Sequence, residues 1–142
     1  MENKLKIFIV TQLDPIYIVS FFEEFFTILK KKEIKPEIKI FNVPNFNENK
    51  LQLLKRLLKF YGLKDFLNLF LIYLKELCIN RRIIKFKNYL KKNYIELHNI
   101  PTVNGSQFKK YLENDMPDIV TSLSSPQIFK NHILNIENIK FI

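Results

Sequence analysis

The sequence predicts an α/β fold, a mostly parallel sheet with helices on its flanks, and three observations carry that prediction. Short runs rich in β-branched and aromatic residues alternate along the chain with segments whose apolar residues recur every three or four positions. Strands separated by helical crossovers in this way pair in parallel. The chain has 142 residues, 47% of them hydrophobic and 26% charged, which is one ordinary domain with one real core, spanning residues 1–142.

Lys4–Thr11 is β-branched and aromatic, continuous enough for a central strand buried on both faces. Gln12-Leu13-Asp14-Pro15 stops it: the Asp14 carboxylate is placed to accept first-turn amides, and Pro15 falls where a missing N–H costs nothing. Ile18, Phe21, Phe22, Phe25, Phe26 and Leu29 then mark one face of a helix that ends in Lys30-Lys31-Lys32. Pro36 separates it from a second strand, Glu37–Val43, and a loop follows at Pro44-Asn45-Phe46-Asn47.

Residues 48–93 read as a helical insert or an elaborated crossover. Leu51, Leu54, Leu58 and Tyr61 form one stripe; Gly62 breaks the helix; Asp65–Ile79 resumes it, apolar nearly all round; Arg82–Asn93 alternates apolar residues with lysines that form a solvated face. Alternation then returns with a strand at Tyr94–His98 and a helix at Ser106–Glu113, with Asn104 or Ser106 as its cap. A strand at Pro117–Leu123 follows, then a helix opened by Ser125 as cap and Pro126 as first residue. Asn138–Ile142 reads as a strand interrupted in progress. The expected arrangement is a Rossmann-like sheet, incomplete at its C-terminus.

Composition excludes several classes. One cysteine, Cys78, rules out a disulfide framework and a multi-cysteine zinc site, and two glycines, Gly62 and Gly105, leave no P-loop or dinucleotide turn. No metal is expected. Cys78 lies on an apolar helix, where a thiol behaves as a small hydrophobe. Only four strongly apolar residues, Ile7–Val10, follow the N-terminus, too few for a signal-peptide core. The apolar run Phe66–Ile79 is too short to span a bilayer and reads as a buried core helix. A soluble, cytoplasmic protein with no membrane partner is the expectation. Net charge is +9, from 23 Lys and Arg against 14 Asp and Glu. That charge favours polyanions, although the abundance of Ile, Lys, Asn and Phe is also what A/T-rich coding produces.

In an open α/β sheet, ligands bind outside the carboxyl ends of the strands. Two loops qualify. Thr11–Asp14 is a poor phosphate site, because Asp14 already places a negative charge at the helix start and no glycine admits a phosphate. Ser122–Gln127 is neutral and hydroxyl-rich, and suits a polar heterocycle held by backbone groups.

At these residues the chain resembles the amino-terminal domain of the folate-dependent formyltransferases, which include methionyl-tRNA formyltransferase and the sugar N-formyltransferases. The resemblance rests on Lys6–Gln12, on Phe21-Phe22-Glu23-Glu24-Phe25-Phe26, and above all on Pro117–Phe129, Pro-Asp-Ile-Val-Thr-Ser-Leu-Ser-Ser-Pro-Gln-Ile-Phe. It covers nearly the whole chain with the order of elements preserved, and departs from the tRNA enzyme in the insert at 48–93. It implies transfer of a formyl group from 10-formyltetrahydrofolate to a primary amine, on tRNA-linked methionine or an amino sugar. Leu123, Ser124, Ser125, Pro126, Gln127 and Ile128 are then the retained part of the folate pocket.

The family's catalytic Asn-x-His motif belongs after the strand ending at Ile142, so no catalytic residue carries over, and the chain is expected to be inactive alone or completed by a second chain. His98 and His132 lack the family spacing and read as surface or capping residues. Ser124 and Ser125 have no G-x-S-x-G elbow around them. Phe141 and Ile142 would leave an apolar sheet edge open to self-association. The rival expectation is a basic α/β module whose lysine-rich helices contact RNA or an acidic protein.

Overall fold

A computed structural model describes residues 4–44 and 50–142. Asn45–Asn47 of the expected loop therefore lie outside the described residues. Five strands form one all-parallel sheet in the order β3-β2-β1-β4-β5, an α/β, Rossmann-like architecture. The strands are β1 (Lys6–Thr11), β2 (Glu37–Asn42), β3 (Glu96–Asn99), β4 (Ile119–Leu123) and β5 (Lys140–Phe141). The helices are α1 (Tyr17–Lys31), α2 (Lys50–Leu74), α3 (Arg82–Lys92), α4 (Ser106–Asp115) and α5 (Asn131–Leu134), with a wider π-type turn over Lys75–Ile79.

The two-residue period of a strand sends alternate side chains of β1 to opposite faces, so each face has its own core. Phe8 and Val10 pack with Phe41, Val120, Phe108 and Leu112 beneath α4. Ile9 packs with Ile38 and Ile40 beneath Val19, Phe22 and Phe26 of α1 and Phe86 and Leu90 of α3. Helices covering both faces of the sheet explain why β1 is a continuous apolar run.

Asp14 accepts the amides at the start of α1 as expected, but the helix begins at Tyr17 behind Ile16, so Pro15 lies in the turn before it and not at its first position. Asp14 Oδ1 accepts the amides of Ile16 and Tyr17 at 2.9 and 2.7 Å, and Oδ2 accepts that of Ile18 at 3.2 Å. Those are orphan donors of a helix start, and Pro15 has none to offer.

Residues 50–92 connect β2 to β3, which lie side by side in parallel, so this segment is a crossover. Gly62 interrupts α2 at φ 72°, ψ 168°, a backbone region open essentially to glycine. The expectation that Phe66–Ile79 is a core helix is corrected: Leu67, Phe70, Leu71, Ile72, Tyr73, Leu74 and Ile79 are exposed, and Cys78 is exposed as well. The sheet faces are already covered by α1, α3 and α4, so α2 packs outside them. Among the described residues, no helix is long and apolar enough to cross a membrane.

Two expected caps are also corrected. No helix opens at Pro126; the chain runs irregularly from Ser124 to Lys130 before the short α5. Ser125 Oγ instead accepts the Gln127 amide at 3.3 Å, closing a serine turn. Neither Asn104 nor Ser106 caps α4, which starts from an extended Gly105 with no side-chain cap.

Candidate functional site at the sheet switch point

From β1 the chain builds outward to β2 and β3 on one side, then returns to place β4 and β5 on the other. The crevice above the carboxyl ends of β1 and β4 is therefore the topological switch point, where crossovers diverge and leave room for a ligand. Thr11 and Leu123, the last residues of these strands, are partners in register. The loops leaving them carry Gln12–Ile16 and Ser124–Lys130. All six residues expected to hold a ligand, Leu123 to Ile128, thus lie at or directly beyond the end of β4.

The β4 loop is held by the loop that follows β3. Gln127 spends both side-chain polar atoms there: Oε1 accepts the Val103 amide at 3.0 Å and Nε2 donates to the Pro101 carbonyl at 3.3 Å. Asn104 does the same in reverse, with Oδ1 accepting the Lys130 amide at 2.7 Å and Nδ2 donating to the Ile128 carbonyl at 2.9 Å. His132 Nε2 donates to the Asn104 carbonyl at 3.1 Å. Gln127 and Asn104 are consequently positioning residues, and Asn104 was legible only as a helix cap. Ser124, Ile128 and Lys130 are the exposed residues of the loop, Ile128 at 85%.

The β1 loop is fixed from the other side. Asn42 Oδ1 accepts the Leu13 amide at 2.9 Å, and Asn42 Nδ2 donates to Asn99 Oδ1 at 2.8 Å, joining the carboxyl ends of β1, β2 and β3. Thr11 is fully buried, and among the described residues its Oγ1 has no hydrogen-bond partner. One unspent hydroxyl is thus buried beneath the two braced loops. With Asp14 saturated by helix amides and no cation on Ser122–Ile128, these residues fit an uncharged planar heterocycle rather than a phosphate.

Two cavities help locate the site. One of about 690 Å³ opens by Leu29, Pro36, Ile38 and Ile95, at the amino ends of β2 and β3, away from the switch point. Another of about 390 Å³ lies between the β1 loop, at Gln12, Leu13 and Tyr17, and Leu57, Phe66 and Leu69 of α2. The smaller one reaches the β1 loop, but neither is lined by any of Leu123–Ile128, so topology alone places the β4 loop at the ligand-binding end of the sheet.

His98 belongs to a structural cluster. Its ring stacks on Phe41 at 5.3 Å, Nδ1 lies 3.1 Å from the Tyr111 hydroxyl, and Nε2 lies 2.8 Å from Glu96 Oε2. An imidazole that donates from Nε2 to Glu96 and accepts at Nδ1 from Tyr111 satisfies all three groups. Lys39 Nζ completes the network at 3.2 Å from Glu96 and 3.0 Å from Asp115. The hydrogen bond from His98 is the main cause holding the Glu96 carboxyl below its ordinary value, assisted by Lys39 against some desolvation. For Lys39, burial favours the neutral amine, but hydrogen bonds and charge from Asp115 and Glu96 outweigh it and raise its pKa above 10.5. Residues 96 and 130, two before the histidines, are Glu and Lys, so neither histidine stands in an Asn-x-His pair. Among the described residues, no group of His, Cys, Asp and Glu could hold a metal ion.

Set against protein-family models and curated proteins, the chain matches none.

Proposed function

We propose that this chain is the folate-binding part of a formyltransferase, one that passes a formyl group from 10-formyltetrahydrofolate to a primary amine. One observation carries the reading: the segment most similar to that family, Pro117–Phe129, puts its loop at the switch point of the sheet, beside Thr11. When bound, 10-formyltetrahydrofolate supplies the activated formyl group. This chain's part is to seat the heterocycle: Leu123, Pro126 and Ile128 give apolar contact, Ser124 gives a hydroxyl, and Ser125, Gln127 and Asn104 hold the loop in shape. The protonic work of formyl transfer requires a base and an oxyanion donor. His98 and His132 are engaged in the network and loop bonds described above, so these 142 residues by themselves bind the cofactor without turning it over.

Calorimetric titration with 5-formyltetrahydrofolate, a stable reduced folate, tests the reading. Saturable binding is expected, weakened at least about tenfold, ~1.4 kcal/mol, by Ile128→Asp. Ile128 is exposed, so that change leaves the fold intact. Absence of binding, or an unchanged affinity in the variant, overturns the reading.

A further inference from the structure

We infer that α2 lies on an anionic lipid surface, its outward leucines in the interface and its lysines at the headgroups. Charge is the first observation. Residues 50–92 hold twelve of the 23 Lys and Arg but only two of the 14 Asp and Glu, so the crossover carries the whole net charge and the rest of the chain is close to neutral. The second is where the apolar surface lies. Leu53, Leu57, Phe66 and Leu69 line the cavity against the β1 loop, so that face of α2 is used. Leu54 shares that cavity, and the set that stays in solvent is Leu58 and Phe60 before Gly62 and Leu63, Leu67 and Leu71 after it, with Phe60 at 79% and Leu63 at 65% exposure. After Gly62 the four-residue spacing of Leu63, Leu67 and Leu71 makes one stripe with Lys64 beside it, and before Gly62 Leu58 and Phe60 are exposed on different sides of the helix between Lys55 and Lys59.

Charge complementarity selects the occupant. A second copy would set one strongly positive face against another. Single-stranded RNA would neutralise the lysines, but it binds by stacking bases on aromatic platforms and would leave the leucines in water. An anionic bilayer takes both kinds of group at once: the leucines enter the acyl boundary while the lysines extend to the phosphates. The expectation of no membrane partner rested on spanning length, and an interfacial helix has no such requirement.

The full chain is mixed with vesicles of phosphatidylcholine alone, or of phosphatidylcholine with phosphatidylglycerol, and floated on a density gradient. It is expected to float only with the anionic vesicles and to be released as salt is raised. Leu63→Glu, Leu67→Glu and Leu71→Glu together should abolish flotation with unchanged circular dichroism. Lys55→Gln, Lys59→Gln and Lys64→Gln together should weaken partition roughly a hundredfold. If the triple glutamate variant loses helical signal, the milder pair Leu63→Ser and Leu71→Ser decides by the same readout. No flotation with anionic vesicles, equal flotation by the leucine variant, or poly(U) binding that matches vesicle binding and ignores the leucine changes would each overturn the inference.

Discussion

Replacing Asn104 by alanine should loosen the β4 loop without disturbing the sheet beneath it. The side chain makes two hydrogen bonds, both to backbone: from the Lys130 amide at 2.7 Å and to the Ile128 carbonyl at 2.9 Å. The contacts made by the Asn104 backbone, to Thr102 Oγ1 and from His132, survive the substitution. A net hydrogen bond contributes about 1 kcal/mol, and water can reach both freed groups, so the loss should be about 1–2 kcal/mol. At about 4 °C per kcal/mol for a domain of this size, thermal unfolding should move down by about 4–8 °C. Urea denaturation with an unchanged slope would confirm a stability effect, and hydrogen exchange should report faster opening over 123–130. Asn104→Asp, which keeps the acceptor for Lys130 but loses the donor to Ile128, should fall between alanine and wild type. A change below about 0.3 kcal/mol in the alanine variant would refute the idea that this side chain braces the loop.

Thr11→Val removes a buried hydroxyl without a partner at nearly constant volume, and should stabilise the chain by about 1 kcal/mol in urea denaturation. A destabilised variant would show that the hydroxyl is satisfied in solution. Gly62→Ala meets no atom within 4 Å of the added Cβ, so its cost is backbone strain alone, about 1–3 kcal/mol. It should appear as fraying of α2 in hydrogen exchange, with the sheet unaffected. The Lys39–Glu96–His98 network gives a pH dependence of fixed sign. The lowered Glu96 pKa contributes stability that is present above about 4.5 and lost as pH falls through the folded value. The raised Lys39 pKa contributes stability that is present below about 10.5 and lost as pH rises through the folded value. Glu96→Gln should flatten the acid limb of a stability–pH profile, and an unaltered limb would contradict the assignment.

Much of the fold is written in local signals. The β-branched run of β1, the Asp14 carboxylate ahead of α1, the Gly62 break and the alternation of strands with helices each state their structure through nearby residues, and the structure shows them. The misreadings share a cause. Ser125 and Asn104 carry helix-cap chemistry, but Ser125 Oγ is spent on the Gln127 backbone within its own turn, while the side chains that join the two loops are Gln127, turning to 101–103, and Asn104, turning to 128–130. Those partners are over twenty residues apart, and no local pattern announces them. Phe66–Ile79 has the composition of a core helix, yet whether a core has room for another helix depends on how its faces are already covered. Thr11 became conspicuous only once its neighbours were in place, because an orphaned hydroxyl is a property of packing rather than of sequence.

The central claim is that the crevice between β1 and β4 holds a reduced folate, and amide chemical-shift mapping tests it most directly. Titrating the ¹⁵N-labelled chain with 5-formyltetrahydrofolate should shift the amides of residues 11–14, 123–125, 127 and 128, leaving β3 and the outer face of α2 unchanged. Shifts confined to residues 50–92, or none at all, would contradict it.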